Sequence, residues 1–240
     1  MKPLIRFYNY YWSSNKDFAR KIKPILGFTP VRMGVFERAF YHKSMINDKN
    51  NNISNSNERL EYLGDAVLST IVAEYLFKKY PNKDEGFLTK MRSKIVKRKT
   101  LNDIADKMGL DMILSEYSQG RMSHSMLGNA LEALVGAIYI EFGYDKTKYY
   151  VVKNILMKFL DIHTLETKDD NYKSILLEWC QKQSKDITYE TLAKFKLEKR
   201  DRFKVAVLID GEQMATAEDF NKKAAEQLAS RKAIRSLQIS

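Results

Sequence analysis

Apolar and polar positions recur with helical spacing through the first two thirds of the chain. From Leu60 to Leu76 the apolar residues return every three or four positions without a proline, and Pro81 ends the run. At about 100° per residue, Leu60, Leu63, Val67 and Ile71 share one side of this predicted helix. Glu58, Glu61 and Asp65 fall within a fan of roughly 60° on the opposite side. A second run, Ser125 to Tyr139, is apolar almost all round and predicts a buried helix. Val35 to Ser44 also reads as helix. Asp84-Glu85-Gly86 opens another, with acids well placed against its dipole. That helix carries Lys90, Arg92, Lys94, Lys97, Arg98 and Lys99, a row suited to a solvated face or to phosphates, and Leu101 to Met108 continues helically. The polar stretches Asn47–Asn57 and Ser115–Ser123 read as loops. No strand pattern appears before residue 160.

The period changes after the polar stretch Thr164–Asp170, which reads as a linker. Asn171 to Gln181 is helical, then Thr188–Lys196, Phe203–Ile209 and Glu212–Glu218 alternate as strands, and Asp219–Leu237 closes as a helix. The predicted architecture is an all-α domain over residues 1–163, a linker at 164–170, and a small α+β domain over 171–240 in the order α-β-β-β-α. Met1 to Lys23 is aromatic and basic, with Phe7, Tyr8, Tyr10, Tyr11 and Trp12. It suits a helix packed on the first domain or an arm that stacks on nucleic acid.

Composition narrows the classes. The chain has 240 residues, 44% of them hydrophobic, enough for a sizeable core. The formal net charge is +11, which favours a polyanionic partner. A single cysteine, Cys180, excludes a disulfide within the chain and a cysteine-based zinc site, and its apolar helical setting suits a core position. His42, His124 and His163 are too scattered to suggest a metal cluster. Arg6, Lys16 and Arg20 interrupt any signal-peptide core, and no apolar run reaches the ~20 residues of a spanning helix. A cytoplasmic protein without membrane contact is expected.

The acids carry the chemistry. From Glu58 to Phe77 the only basic residue is Arg59, although the whole chain is rich in Lys and Arg. Like charges on one helix face repel by a few tenths of a kcal/mol per pair, and a divalent metal would offset that cost. Ala66, Ser69 and Ala73 flank the acids with small side chains, and Gly64, costing about 1 kcal/mol inside a helix, suggests close packing. In the second run, Glu132 is costly among apolar neighbours unless paired or metal-bound. Asn129 shares its face, and Gly128, Ala133, Gly136 and Ala137 permit close helix approach. If that face meets Glu61 and Asp65, four oxygen-bearing side chains converge, a set suited to Mg²⁺.

Asn57-Glu58-Arg59-Leu60-Glu61-Tyr62-Leu63-Gly64-Asp65-Ala66-Val67-Leu68 closely resembles the signature stretch of the ribonuclease III family. Ser125–Tyr139 resembles the second motif of that family, Ala39–Ser44 the segment ahead of the first, and the α-β-β-β-α module a double-stranded-RNA-binding domain. The resemblance implies an all-α endonuclease domain that forms a homodimer. It implies cleavage of double-stranded RNA by metal-activated water attack on phosphodiesters, in the processing of ribosomal and messenger RNA precursors. Mg²⁺ is the implied cofactor, with Mn²⁺ able to stand in. The metal ligands would be Glu61, Asp65, Asn129 and Glu132, with Asp65 and Glu132 catalytic and Glu58 and Glu85 as supporting acids. RNA contacts would come from Ser174, Glu178, Lys199, Arg200, Lys222 and Lys223, with the lysine pair against phosphates across the major groove. The chain departs from the family pattern at three places. Asn129 stands where the family has Asp, which raises the alternative of a catalytically weak double-stranded-RNA-binding protein. Leu197-Glu198-Lys199-Arg200 replaces a Gly-Pro-x-His loop, and Ala217 and Asp219 replace glycines before the lysine pair.

Overall fold

The periodic segments of the first two thirds fold as helices: α1 (Lys2–Tyr11), α2 (Lys16–Leu26), α3 (Met33–Arg38), α4 (Glu58–Lys79), α5 (Glu85–Val96), α6 (Arg98–Lys107), α7 (Leu110–Tyr117) and α8 (Ser125–Phe142). They continue as α9 (Tyr144–Tyr150), a π-helical segment (Val151–Leu156), α10 (Met157–Phe159) and α11 (Ile162–Thr167). The computed structural model describes residues 2–41, 56–117, 125–167, 171–197 and 200–239. The chain divides into two units, Met1–Glu166 and Thr167–Ser240.

Helices α4 and α8 form the centre of the first unit. Leu68, Ile71, Val72 and Leu76 of α4 and Ala130, Leu131, Leu134 and Val135 of α8 are all buried. Two glycines set how closely these helices approach. A Cβ on Gly64 would land on the carbonyl group of Glu132, and one on Gly136 on the carbonyl of Leu60. The two backbones therefore touch, and no larger residue fits at either position. The expected apolar side of α4 is buried at Leu60, Val67 and Ile71, and a second side is buried as well. Leu68, Val72 and Leu76 lie at the same azimuth as Glu58, Glu61 and Asp65, at roughly 100° per residue, and they are buried. The acids are thus the first turns of a side of α4 that enters the core further along. The reason is that α4 is packed on several sides, against α8, α5 and the π-helical segment.

Local boundaries also differ from the periodic reading. The helix expected over 35–44 stops at Arg38, because Asn57 reaches back to the segment that follows: its N–H donates to the Tyr41 carbonyl at 2.8 Å and its Nδ2 to the Ala39 carbonyl at 3.4 Å. Most of the loop expected over 47–57 lies outside the described residues. The loop expected from Ser115 starts later, since α7 runs to Tyr117, and residues 118–124 lie outside the described residues. The basic helix after Asp84 breaks at Lys97, whose ψ of 142° is extended, so Arg98 and Lys99 belong to α6. Asp84 caps α5 by accepting from the Phe87 N–H at 2.8 Å. Residues 164–167 of the expected linker are helical, in α11, and 168–170 lie outside the described residues.

The second unit contains α12 (Tyr172–Lys182), β1 (Ile187–Leu197), β2 (Arg200–Ile209), β3 (Glu212–Asp219) and α13 (Lys222–Ser236). The strands form an antiparallel sheet in the order β1-β2-β3. Leu176, Cys180, Val207, Ile209, Ala217, Ala229 and Ala233 make its core. The last helix starts at Lys222 and not at Asp219, because Asn221 caps it by accepting from the Ala224 N–H at 2.8 Å.

Candidate active site

Glu61 and Asp65 project from α4 where Gly64 lets α8 come against it, and one turn of α8 there carries Asn129 and Glu132. These four side chains, with Glu58, Tyr62 and Arg98, line one cavity of about 560 Å³. Asp65 is exposed, while Glu58, Glu61, Asn129 and Glu132 are half-buried. The spacing of three and four residues on each helix turns the donors to one side. The glycine crossing brings the two sides together.

The electrostatics follow from that crowding. Burial, then the charges of Asp65 and Glu61, push the Glu132 carboxyl up to about 7, against a weaker pull from Arg98. Burial, then the Glu58 charge, raises Glu61 as well, while Arg98 and a hydrogen bond from Asn129 oppose the rise. Asn129 therefore acts as a donor to Glu61, a role the amide can fill and a carboxylate cannot. The cluster carries more negative charge than it can hold comfortably, and a cation would relieve it. The donor set consists of carboxylate and amide oxygens, the ligands hard divalent ions prefer. Among the described residues no group of three or more His, Cys, Asp and Glu side chains is arranged to hold a metal by itself. Mg²⁺ retains several waters and uses one or two carboxylates, so the set fits it with water completing the shell.

Two residues support the site that the helical pattern did not single out. Arg98 faces the acids only because the chain breaks at Lys97 and restarts as α6. The buried Asn102, one turn on, accepts from the Gly128 N–H at 2.8 Å. That N–H is among the first four of α8, which have no partner inside the helix. Asn102 thus caps the helix that carries Asn129 and Glu132. Glu85 stands apart from the cavity at the start of α5, where it accepts from Thr89 Oγ1 at 2.9 Å. In the second unit Ser174 and Glu178 lie on α12, half-buried and exposed respectively, and Lys222 and Lys223 are exposed in the first turn of α13. Arg200 opens β2 with its guanidinium 5.8 Å from the Phe220 ring centre. Lys199 lies outside the described residues.

Comparison with known proteins agrees with both halves. Residues 33–159 match the Ribonuclease-III-like family model, and residues 172–237 match the double-stranded RNA binding motif. Ribonuclease 3 of Zunongwangia profunda is 40% identical over 228 residues, covering 94% of this chain and 93% of that protein. Ribonuclease 3 of Flavobacterium psychrophilum is 39% identical over 218 residues, covering 90% of this chain and 88% of that one. Among solved structures, the nuclease domain of ribonuclease III from Campylobacter jejuni is similar at 35% identity and a TM-score of 0.51, covering 59% of this chain and 96% of that one.

Proposed function

We propose that this chain, which belongs to the ribonuclease III family, is an endoribonuclease that cuts double-stranded RNA with a divalent metal ion, Mg²⁺ by preference and Mn²⁺ as a stand-in. The observation that carries the metal assignment is the meeting of Glu61, Asp65, Asn129 and Glu132 in one cavity, with Arg98 beside them. These four side chains would hold the ion. When bound, it supplies a Lewis acid that lowers the pKa of an attacking water and offsets charge building on the phosphate. Asp65, at the exposed mouth, and Glu132, at the half-buried side, are the carboxylates closest to the reacting phosphodiester. Asn129 fixes the Glu61 carboxylate by donating to it. Arg98 offers a fixed positive charge that draws the RNA phosphate toward the acids. In the second unit Lys222 and Lys223 neutralise phosphates across the major groove, with Ser174 and Glu178 toward the minor groove.

Two chains paired through their first units would present two such sites, one per RNA strand. Their products would carry short 3′ overhangs, 5′-phosphates and 3′-hydroxyls. Precursors of ribosomal and messenger RNA, met in the cytoplasm, are the substrates this reading favours. Among the described residues no helix is long and apolar enough to cross a membrane. The weak-binder alternative raised by Asn129 has no supporting observation. The decisive experiment incubates the chain with long duplex RNA and Mg²⁺, then repeats it with Glu132→Gln. The wild type should cut, and the variant should lose cleavage without a lower Tm in metal-free buffer, since it removes a crowded charge. Intact RNA with the wild type in both Mg²⁺ and Mn²⁺ would sink the activity, and equal cleavage by the variant would sink the site.

A further inference from the structure

Nothing in the reaction above uses α1 and α2, yet their surface is unusual. Helix α1 is held by its inward side: Arg6 meets Glu141 at 3.4 Å, and Asn9 Nδ2 donates to the carbonyls of Pro30 at 3.0 Å and Val31 at 3.1 Å. Its outward side is apolar. Leu4, Phe7, Tyr8, Tyr11 and, just past its end, Trp12 all face solvent, Trp12 at 67% exposure. The rings cluster, with centres 4.6 Å apart for Phe7 and Tyr11 and 5.3 Å apart for Phe7 and Trp12. Beside them is a cleft of about 380 Å³ whose walls include the rings of Phe7, Tyr10, Tyr11 and Phe28 and the cations Arg6 and Lys23. Lys23 Nζ lies 4.2 Å from the centre of the Tyr10 ring, and the Arg6 guanidinium 5.7 Å from that of Phe28. Arg6 Nε is buried and has no hydrogen-bond partner.

We propose that this cleft binds single-stranded RNA, with a base stacked among its rings and the adjoining phosphates on Lys23 and Arg6. Every base has a π-face, and aromatic rings beside a positive groove are the means by which proteins hold single strands. The volume falls within the roughly 300–1,000 Å³ of small-ligand sites, enough for one nucleotide unit. Charge selects the partner. From Lys2 to Leu26 there are six cations (Lys2, Arg6, Lys16, Arg20, Lys21, Lys23), and three acids pair with them, Asp17 with Arg20, Glu116 with Lys21 and Glu141 with Arg6, which leaves the surface net positive. A second copy of so basic a surface would be repelled. A flat lipid surface would reach the outward rings and the exposed Lys23 but not Tyr10 and Phe28, the half-buried rings of the cleft wall. The site would let the enzyme hold the unpaired strand that flags the end of a duplex substrate. The inference rests on the reading that the chain acts on RNA.

The test uses the full chain carrying Trp179→Phe, which leaves Trp12 as the sole tryptophan reporter. Titration with a 12-nucleotide strand lacking self-complementarity, in EDTA, should quench Trp12 fluorescence saturably. Tyr11→Ala should weaken binding about tenfold, in line with the ~1–3 kcal/mol that one stacked base contributes. Lys23→Ala should flatten the plot of log K against log salt by about 0.7, the loss of one single-strand phosphate contact, and Lys23→Arg should restore it. Absence of quenching overturns the inference, as does quenching that neither variant changes. A Trp12 response only to vesicles of phosphatidylglycerol and phosphatidylcholine would assign the surface to lipid instead. A response to protein concentration alone would assign it to self-association. Cleavage of a fully paired duplex in Mg²⁺ is measured on the same preparations, and the Tyr11 and Lys23 variants should keep it. A chain that cuts duplex but ignores the strand refutes the cleft alone. One that binds the strand but never cuts refutes the nuclease reading and leaves the cleft standing.

Discussion

Replacing Gly64 with Ala sets two effects of opposite sign against each other. Alanine is favoured over glycine inside a helix by about 1 kcal/mol, so a solvent-exposed exchange would stabilise α4. Here the added Cβ would fall on the backbone carbonyl of Glu132, which cannot rotate away. Relief requires α4 and α8 to part by about 1 Å or more, and forced overpacking of this kind costs about 1–3 kcal/mol. The parting would also loosen contacts around the fully buried Leu68, Leu131 and Val135, each of which loses dispersion energy steeply over such a gap. A net loss of about 2 kcal/mol is expected, which for a unit of this size lowers Tm by roughly 4–8 °C. The same movement draws Glu61 and Asp65 away from Asn129 and Glu132, and a misplacement of about 1 Å can cost on the order of 100-fold in rate. Calorimetry of the first unit's transition and duplex cleavage well below that Tm are the assays. Gly86→Ala is the control, because its Cβ would meet only Asp84 Oδ1 at 3.7 Å, so its Tm should hold or rise. A Gly64→Ala chain as stable as the wild type, or one that cuts at the normal rate, would refute the idea that the glycine crossing sets the site.

Four further outcomes follow from named contacts. Asn129→Asp exchanges an amide that favours the ionised Glu61 for a further carboxylate among Glu58, Glu61, Asp65 and Glu132, so in EDTA it should lower Tm, and it should regain more Tm than the wild type on Mg²⁺ titration. An unchanged Tm in EDTA contradicts it. Asn102→Ala removes the acceptor of the Gly128 N–H and should lower stability by about 1 kcal/mol, read from the denaturant midpoint at constant m. Lys78, then Tyr144 and Lys148, hold the Glu74 carboxylate down to about 2 from 4.5. A lowered carboxyl pKa stabilises the fold above the ordinary value, and that stability fades as pH falls from 4.5 toward 2. The Tm gap between wild type and Glu74→Gln should therefore be flat near neutral pH and close across that acid window. Replacing Lys222 and Lys223 together by Ala should reduce the salt slope of duplex binding by about 0.9 per lost phosphate contact, and an unchanged slope would remove them from the RNA surface.

The sequence by itself determined the order of elements, the helical character of the first unit and the α-β-β-β-α order of the second. Those properties follow from contacts three or four residues apart, from strand alternation and from caps such as Asp84, all of which are local in the chain. It also put Glu58, Glu61 and Asp65 on one side of a helix and Asn129 with Glu132 on one side of another. That the two sides meet was only a condition in the sequence. It is met because Gly64 and Gly136 let two backbones touch across about seventy residues of chain, a contact that no local period encodes. The same limit explains what was not legible. Arg98 reads as one more cation of a basic helix until the break at Lys97 turns it toward the acids, and Asn102 reads as an ordinary polar residue until its carbonyl oxygen is found against Gly128. The aromatic N-terminus suited either a packed helix or a stacking arm. Tertiary structure decided between them in an unforeseen way, anchoring α1 through Arg6 and Asn9 so that its polar side faces the protein and its rings face solvent. Local periodicity specifies which residues share a face, and only packing specifies what that face meets.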